Sequence, residues 1–142
     1  MITKTAYAYW EGNLKEGEGH VSTESKAMDH VPYGFNTRFE DKAGTNPEEL
    51  LGAAHAGCFS MALLMILGEE NVVAEYIKTQ ADVSLEKQDD GFAIPKIHLN
   101  VEVKAPDSNE GVVKSCAHKA KEGCPVSKVL NADITMDVVY KS

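Results

Sequence analysis

The stretch NPEELLGAAHAGCFSMALLMILG, residues 46–68, decides the architecture of this chain. Asn46 carries a side chain that accepts from the unpaired N–H groups of a helix start, Pro47 suits the first helical position, and Glu49 stands three residues after the cap. The spacing predicts a helix opened by an Asn-x-x-Glu capping box. From Leu50 to Leu67 nearly every position is apolar or small. Such a helix has no polar face to offer water and is expected to be buried all round, with Gly68 ending it in a left-handed conformation. The run approaches the roughly 20 residues that span a bilayer. Gly52, His55, Gly57 and Ser60 dilute it, however, and Glu48-Glu49 and Glu69-Glu70 flank it without Lys or Arg, so it reads as a core helix and no membrane partner is expected.

Downstream, two runs alternate with the period of a strand. Ile77, Thr79, Ala81, Val83 and Leu85 face one way against Lys78, Gln80, Asp82, Ser84 and Glu86; Ile97, Leu99, Val101 and Val103 do the same against His98, Asn100 and Glu102. Asp89-Asp90-Gly91 turns one run into the other. This pattern predicts an antiparallel sheet, wet on one face and covered by helices on the other. Asp107 and Glu110 suggest a second capping box, opening a helix whose apolar stripe is Val112, Val113, Cys116, Ala117 and Ala120 and which Gly123 stops. Cys124-Pro125 starts a helical turn to Leu130, and Ile134, Met136, Val138 and Tyr140 alternate along a last strand.

Upstream, short strands are expected at Thr3 to Trp10, Gly19 to Ser25 and Phe35 to Glu40, broken by Gly12-Asn13 and by a Pro32-Tyr33-Gly34 turn. The fold class is therefore α+β, in the order βββ-α-ββ-αα-β. A chain of 142 residues with no internal linker is expected to form a single domain, 1–142.

Lys and Arg number 14 against 22 Asp and Glu, a formal charge of −8, which is the wrong sign for binding phosphate backbones, so no nucleic-acid partner is expected. Residues 1–10 have no apolar run after Lys4 and no small-residue cleavage site, and a cytoplasmic protein is expected. The five histidines show no metal-ligand spacing, and no phosphate-binding or nucleophile-elbow motif occurs. What remains is thiol chemistry. Three cysteines with no short-spaced pair fit a reducing compartment better than a disulfide scaffold. Cys58 lies within the apolar helix, where a lone cysteine can simply pack as a small hydrophobe, and Cys116 belongs to the second helix's core stripe. Cys124 stands at the start of a helical turn, where unpaired N–H groups favour a thiolate. Arg38, the sole arginine, is the candidate cation for a reactive thiol, or one half of a structural ion pair.

Three motifs carry a resemblance. Gly44-Thr45-Asn46-Pro47-Glu48-Glu49-Leu50, the run from Ala53 through His55, Gly57, Cys58 and Phe59 to Ala62, and Cys124-Pro125-Val126-Ser127-Lys128 resemble the osmotically inducible protein C (OsmC) branch of the OsmC/Ohr family. Trp10-x-Gly12-x-Leu14-x-x-Gly17-x-Gly19 and Tyr33-x-Phe35-x-Thr37-Arg38-Phe39-Glu40 match the same branch, so the likeness spans nearly the whole chain. The resemblance implies antiparallel sheets packed around a long central helix in an intertwined homodimer, and a thiol peroxidase that acts on organic hydroperoxides. By matching positions, Cys58 is the peroxidatic cysteine, Cys124 the resolving one, Arg38 the group that supports the Cys58 thiolate, and Glu48 the residue that orients Arg38. It also implies a lipoyl-type dithiol as reductant. No cofactor is expected, because the sulfur is itself the redox centre. In a straight helix Cys58 lies roughly 15 Å beyond Glu48. If Arg38 and Glu48 serve Cys58, either the helix breaks near Gly52 or they come from a partner subunit. The other classes open to these residues are a thiol redox sensor without sustained turnover and a non-enzymatic binder of apolar ligands.

Overall fold

The computed structural model describes residues Met1–Ser142 and falls into two compact units, Met1–Leu50 and Leu51–Ser142. Each is described by itself.

In the first unit, β1 (Ala6–Glu11), β2 (Glu18–Thr23) and β3 (Val31–Tyr33) form an antiparallel sheet in chain order. Trp10 and Tyr33 meet edge to face, with ring centroids 5.6 Å apart, directly over Gly19. A Cβ at Gly19 would come within 2.3 Å of the Trp10 ring, so the position tolerates no side chain. The third strand is not where the alternation of Phe35 to Glu40 predicts it. The Pro32-Tyr33 stretch expected to turn is β3, and Phe35–Phe39 is a short helix, α1. Local interactions account for this. Thr37 Oγ1 accepts from the Gly34 N–H at 2.7 Å and donates to the Gly34 carbonyl at 3.0 Å, and the Phe35 and Phe39 rings pack one turn apart at 5.0 Å.

The long helix α2 (Pro47–Glu69) starts as its sequence predicts, with the Asn46 side chain accepting from the Glu49 N–H at 2.8 Å. Only half of the capping box forms, since the Glu49 carboxylate accepts instead from Thr45 Oγ1. The helix runs past Gly68. Asn71 takes the left-handed conformation, φ 58°, and Asn71 N–H bonds to Gly68 O while Val72 N–H bonds to Leu67 O. That is the Schellman pair of bonds, displaced three residues beyond the expected glycine.

In the second unit, β4 (Tyr76–Gln88) and β5 (Gly91–Lys104) pair antiparallel, and β6 (Asp133–Lys141) adds to the other side of β5. The wholly antiparallel sheet expected from the alternation is corrected here, because β6 runs parallel to β5. A parallel neighbour needs a crossover connection, and α3 (Glu110–Gly123) and α4 (Pro125–Val129) supply it. The cap of α3 is Asn109, whose side chain accepts from Val112 N–H at 3.0 Å, and not Asp107.

The core lies between the sheet and the helices. Phe59, Leu63 and Leu67 of α2, Ile97, Leu99, Val101 and Val103 of β5, and Val113, Cys116, Ala117 and Ala120 of α3 form one buried cluster. Each fully buried large apolar side chain contributes about 1.5–3 kcal/mol. On the opposite face the sheet carries polar pairs, such as His98 with Thr135 and Asn100 with Asp82. α2 is long and apolar enough by composition to cross a membrane, but its Phe59–Leu63–Leu67 face is packed against the sheet. Burial all round, expected from the apolar run, does not hold in the single chain. Met61 is 73% exposed and Met65 64%.

Candidate active site

Two groups of polar and thiol side chains stand out, one in each unit. In the second unit Cys58, on the fourth turn of α2, and Cys124, between α3 and α4, are hydrogen-bonded thiol to thiol. Both are free cysteines; Cys58 is half-buried and Cys124 has no exposure. Cys124 closes one helix and opens the next, its N–H bonding to Ala120 O at 2.9 Å and its carbonyl accepting from Lys128 N–H at 3.1 Å. That junction aims the first free N–H groups of α4 at sulfur. Val126 N–H reaches both thiols, and Ser127 offers Cys124 its N–H and its hydroxyl. Burial pushes the Cys124 thiol up, but the hydrogen bonds from Cys58, Ser127 and Val126 outweigh it and leave Cys124 below its ordinary value. Cys58 is pushed up, first by burial and then by Cys124, against the single Val126 N–H. Cys124 is thus the more acidic thiol and Cys58 the more accessible one.

His55 lies one turn before Cys58 and is fully buried. Its Nε2 is 2.8 Å from Ser127 Oγ, while its Nδ1 has no hydrogen-bond partner. Burial lowers its pKa and keeps the ring neutral at neutral pH. Sequence reasoning names His55 and Ser127 within the family motifs but gives neither a role in the chemistry. The available signal is their spacing, since His55 precedes Cys58 by three residues on a helix and Ser127 follows Cys124 by three.

In the first unit Arg38 of α1 donates from both Nε, at 2.9 Å, and Nη2 to a single oxygen, Oε1, of Glu48 in the first turn of α2. Glu48 is buried and Arg38 about one-third exposed. Two donors converging on one oxygen fix the plane of the guanidinium and leave Nη1 and the outer edge uncommitted by this contact. The Arg38 group also sits over the Phe39 ring at 5.3 Å. It borders an apolar hollow of about 330 Å³ lined by Trp10, Leu14, Tyr33, Phe35 and Phe39. α2 does not break at Gly52, so the first of the two ways to bring Glu48 and Cys58 together falls away.

Cys116 is buried in the α3 core stripe, and burial pushes its thiol up. No three His, Cys, Asp or Glu side chains converge in a way that could hold a metal ion.

Residues 39–139 match the family model of the OsmC-like proteins. This chain belongs to that family. Among OsmC-like relatives, the peroxiredoxin OsmC of Escherichia coli K12 is 56% identical over 141 residues, 99% of each chain. The organic hydroperoxide resistance protein OhrB of Bacillus subtilis is 29% identical over 124 residues, 87% of this chain and 89% of its own. The crystal structure of that protein superposes over 96% of this chain and 98% of its own with a TM-score of 0.69. An OsmC-like protein of unknown function from Vibrio cholerae, 15% identical, shares the fold with a TM-score of 0.78 over 98% of this chain and 100% of its own.

Proposed function

We infer that this protein is a thiol-dependent peroxidase that reduces organic hydroperoxides to alcohols, and hydrogen peroxide less well. The observation that carries the reading is the hydrogen-bonded pair of free thiols, one of them accessible, in an OsmC-like chain more than half identical to a peroxiredoxin. Exposure supports these roles. A hydroperoxide can reach Cys58, whereas Cys124 is sealed and can meet only what forms on Cys58.

The Cys58 thiolate attacks the terminal peroxide oxygen, the O–O bond breaks, and the alkoxide takes a proton and leaves as the alcohol. Cys58 is left as a sulfenic acid. The Cys124 thiolate attacks that sulfur, forming the Cys58–Cys124 disulfide and releasing hydroxide, which leaves as water. An external dithiol, of lipoyl type, then reduces the disulfide through a mixed disulfide and is itself oxidised to a cyclic disulfide.

Cys58 needs a cation, because burial and Cys124 both disfavour its thiolate. Arg38 is that cation, held by Glu48, and the adjoining apolar hollow suits the alkyl part of an organic hydroperoxide. Since α2 is continuous, the pair reaches Cys58 from the second subunit of a homodimer. The neighbouring exposed Met61, Leu64 and Met65 on α2 support such a partner, as a contiguous exposed apolar patch marks an interaction site. The two units make up one OsmC-like domain, which the E. coli relative matches end to end. Three free thiols suit the reducing cytoplasm.

The test is a peptide map after one equivalent of cumene hydroperoxide. A Cys58–Cys124 disulfide with Cys116 free supports the cycle; Cys58 oxidised beyond the sulfenic acid, with Cys124 still a thiol, contradicts it.

A further inference from the structure

We propose that His55 and Ser127 form a directed hydrogen-bond chain that ends on Cys124 and holds it in the form that attacks an oxidised Cys58, which makes His55 a positioning residue of the second step. The proposal rests on the reading of Cys124 as the resolving thiol.

The direction of the chain follows from the one unpaired atom in it. His55 is fully buried, with Nε2 2.8 Å from Ser127 Oγ and Nδ1 facing no partner. A neutral imidazole has one N–H to place. On Nδ1 it would be an orphaned buried donor, the rarer and costlier kind of unpaired group. On Nε2 it is satisfied by Ser127 Oγ, and Nδ1 keeps only a bare lone pair. Ser127 then receives a hydrogen bond from His55, so its own single proton points elsewhere. The group it meets is Cys124 Sγ. A hydroxyl that donates to sulfur favours the thiolate, as do the N–H groups of Val126 and Ser127 and the Cys58 thiol. Ser127 could rotate its proton towards His55 if the ring were the acceptor; the buried, partnerless Nδ1 is what forbids that.

The step it serves is balanced without a further reactant. The Cys124 sulfur forms the S–S bond, the Cys58 S–O bond breaks, and the hydroxide that leaves is protonated to water. His55 neither gains nor loses a proton overall, and touches neither sulfur. Its effect is on how much thiolate Cys124 presents.

Two measurements on the full-length reduced protein test this. In a Cys58→Ser, Cys116→Ser background Cys124 is the sole thiol, and its ultraviolet thiolate absorbance is followed against pH. Ser127→Ala raises the midpoint by about one pH unit, the size expected for loss of one hydrogen bond to a charged group. His55→Leu raises it in the same direction, and His55→Gln, whose Nε2 amide can donate to the same oxygen, returns it towards the parent value. If His55→Leu does not fold, His55→Asn, whose amide is too short to reach Ser127, takes its place. With all three thiols present, rapid mixing with cumene hydroperoxide gives sulfenic acid formation on Cys58 that is no slower than in the parent, since a less ionised Cys124 opposes the Cys58 thiolate less. Disulfide closure slows by about threefold for a one-unit rise, because the lost thiolate is partly offset by greater intrinsic nucleophilicity.

A Cys124 midpoint unmoved by Ser127→Ala, or moved equally by Gln and Leu at position 55, overturns the proposal, since a purely structural histidine predicts either. Failure of the underlying reading looks different. No Cys58–Cys124 disulfide then forms even with His55 and Ser127 intact, whatever the titration shows.

Discussion

Replacing Glu48 with Gln tests the positioning of Arg38 without changing the shape of the side chain. In the parent protein Nε and Nη2 of Arg38 converge on Glu48 Oε1. A hydrogen bond to a charged group is worth about 1.5–3 kcal/mol, roughly twice a neutral one. The amide oxygen of Gln can still accept, so the substitution forfeits about half of two such bonds, on the order of 1.5–3 kcal/mol. Arg38 is 33% exposed, and solvent screening reduces that to about 1–2 kcal/mol. Where the guanidinium must lie in one plane to meet the peroxide, that free energy appears as a fall of about 5- to 30-fold in kcat/KM. The assay is steady-state reduction of cumene hydroperoxide under saturating dithiol, with thermal melting in parallel so that a general loss of stability is recognised. Arg38→Lys, which keeps the charge but not the planar fork, falls at least as far. A Glu48→Gln enzyme with the parent kcat/KM at an unchanged melting temperature would refute the reasoning, because the ion pair would then be structural and Arg38 would need no orienting.

His55 gives a pH dependence of stability. Its folded pKa is lowered by burial, so below about pH 6.5 the unfolded chain binds a proton that the native state refuses, and stability falls as pH falls through that value. Urea midpoints at pH 5.5 and 7.5 show this slope in the parent, and His55→Gln flattens it. On α2, Leu63→Ala removes a fully buried side chain and costs about 2.7–5 kcal/mol by urea denaturation. Met65→Asp, on the exposed face of the same helix, leaves the fold intact and converts the proposed homodimer to monomer in light scattering; a dimer that survives it places the interface elsewhere.

What could be read in the sequence was governed by periodicity and by local caps. The start of α2 at Asn46-Pro47, the core stripe of α3 that takes in Cys116, and the alternation of β4, β5 and β6 rest on contacts within a few residues, and they fold as they read. The failures have separate causes. Phe35, Thr37 and Phe39 alternate like a strand, but the Thr37 bonds to Gly34 and the tilted packing of Phe35 on Phe39 close a helical turn first. Alternation says which residues face the core and nothing about strand direction, so the parallel pairing of β6 was hidden. Asn71 and Asn109 took the capping positions that Gly68 and Asp107 seemed suited to, because the end of a helix is set by where the chain must turn. At the site, Cys124 is visible by its place at a helix start, whereas Cys58 in its local setting reads as a packed core cysteine and takes its role from the resemblance. The bond from His55 to Ser127 spans 72 residues, and only the fold makes it.

The central claim is that Cys58 and Cys124 carry out a two-cysteine peroxidase cycle in which Cys116 takes no part. The most direct measurement is sustained consumption of cumene hydroperoxide and of hydrogen peroxide with a dithiol reductant, comparing the parent protein with Cys58→Ser, Cys124→Ser and Cys116→Ser. The account predicts continuous turnover that favours the organic substrate, none in Cys58→Ser, rapid inactivation by over-oxidation in Cys124→Ser, and parent behaviour in Cys116→Ser. A parent protein that oxidises once and stops, with dithiol in excess, would contradict it and make the thiol pair a redox sensor.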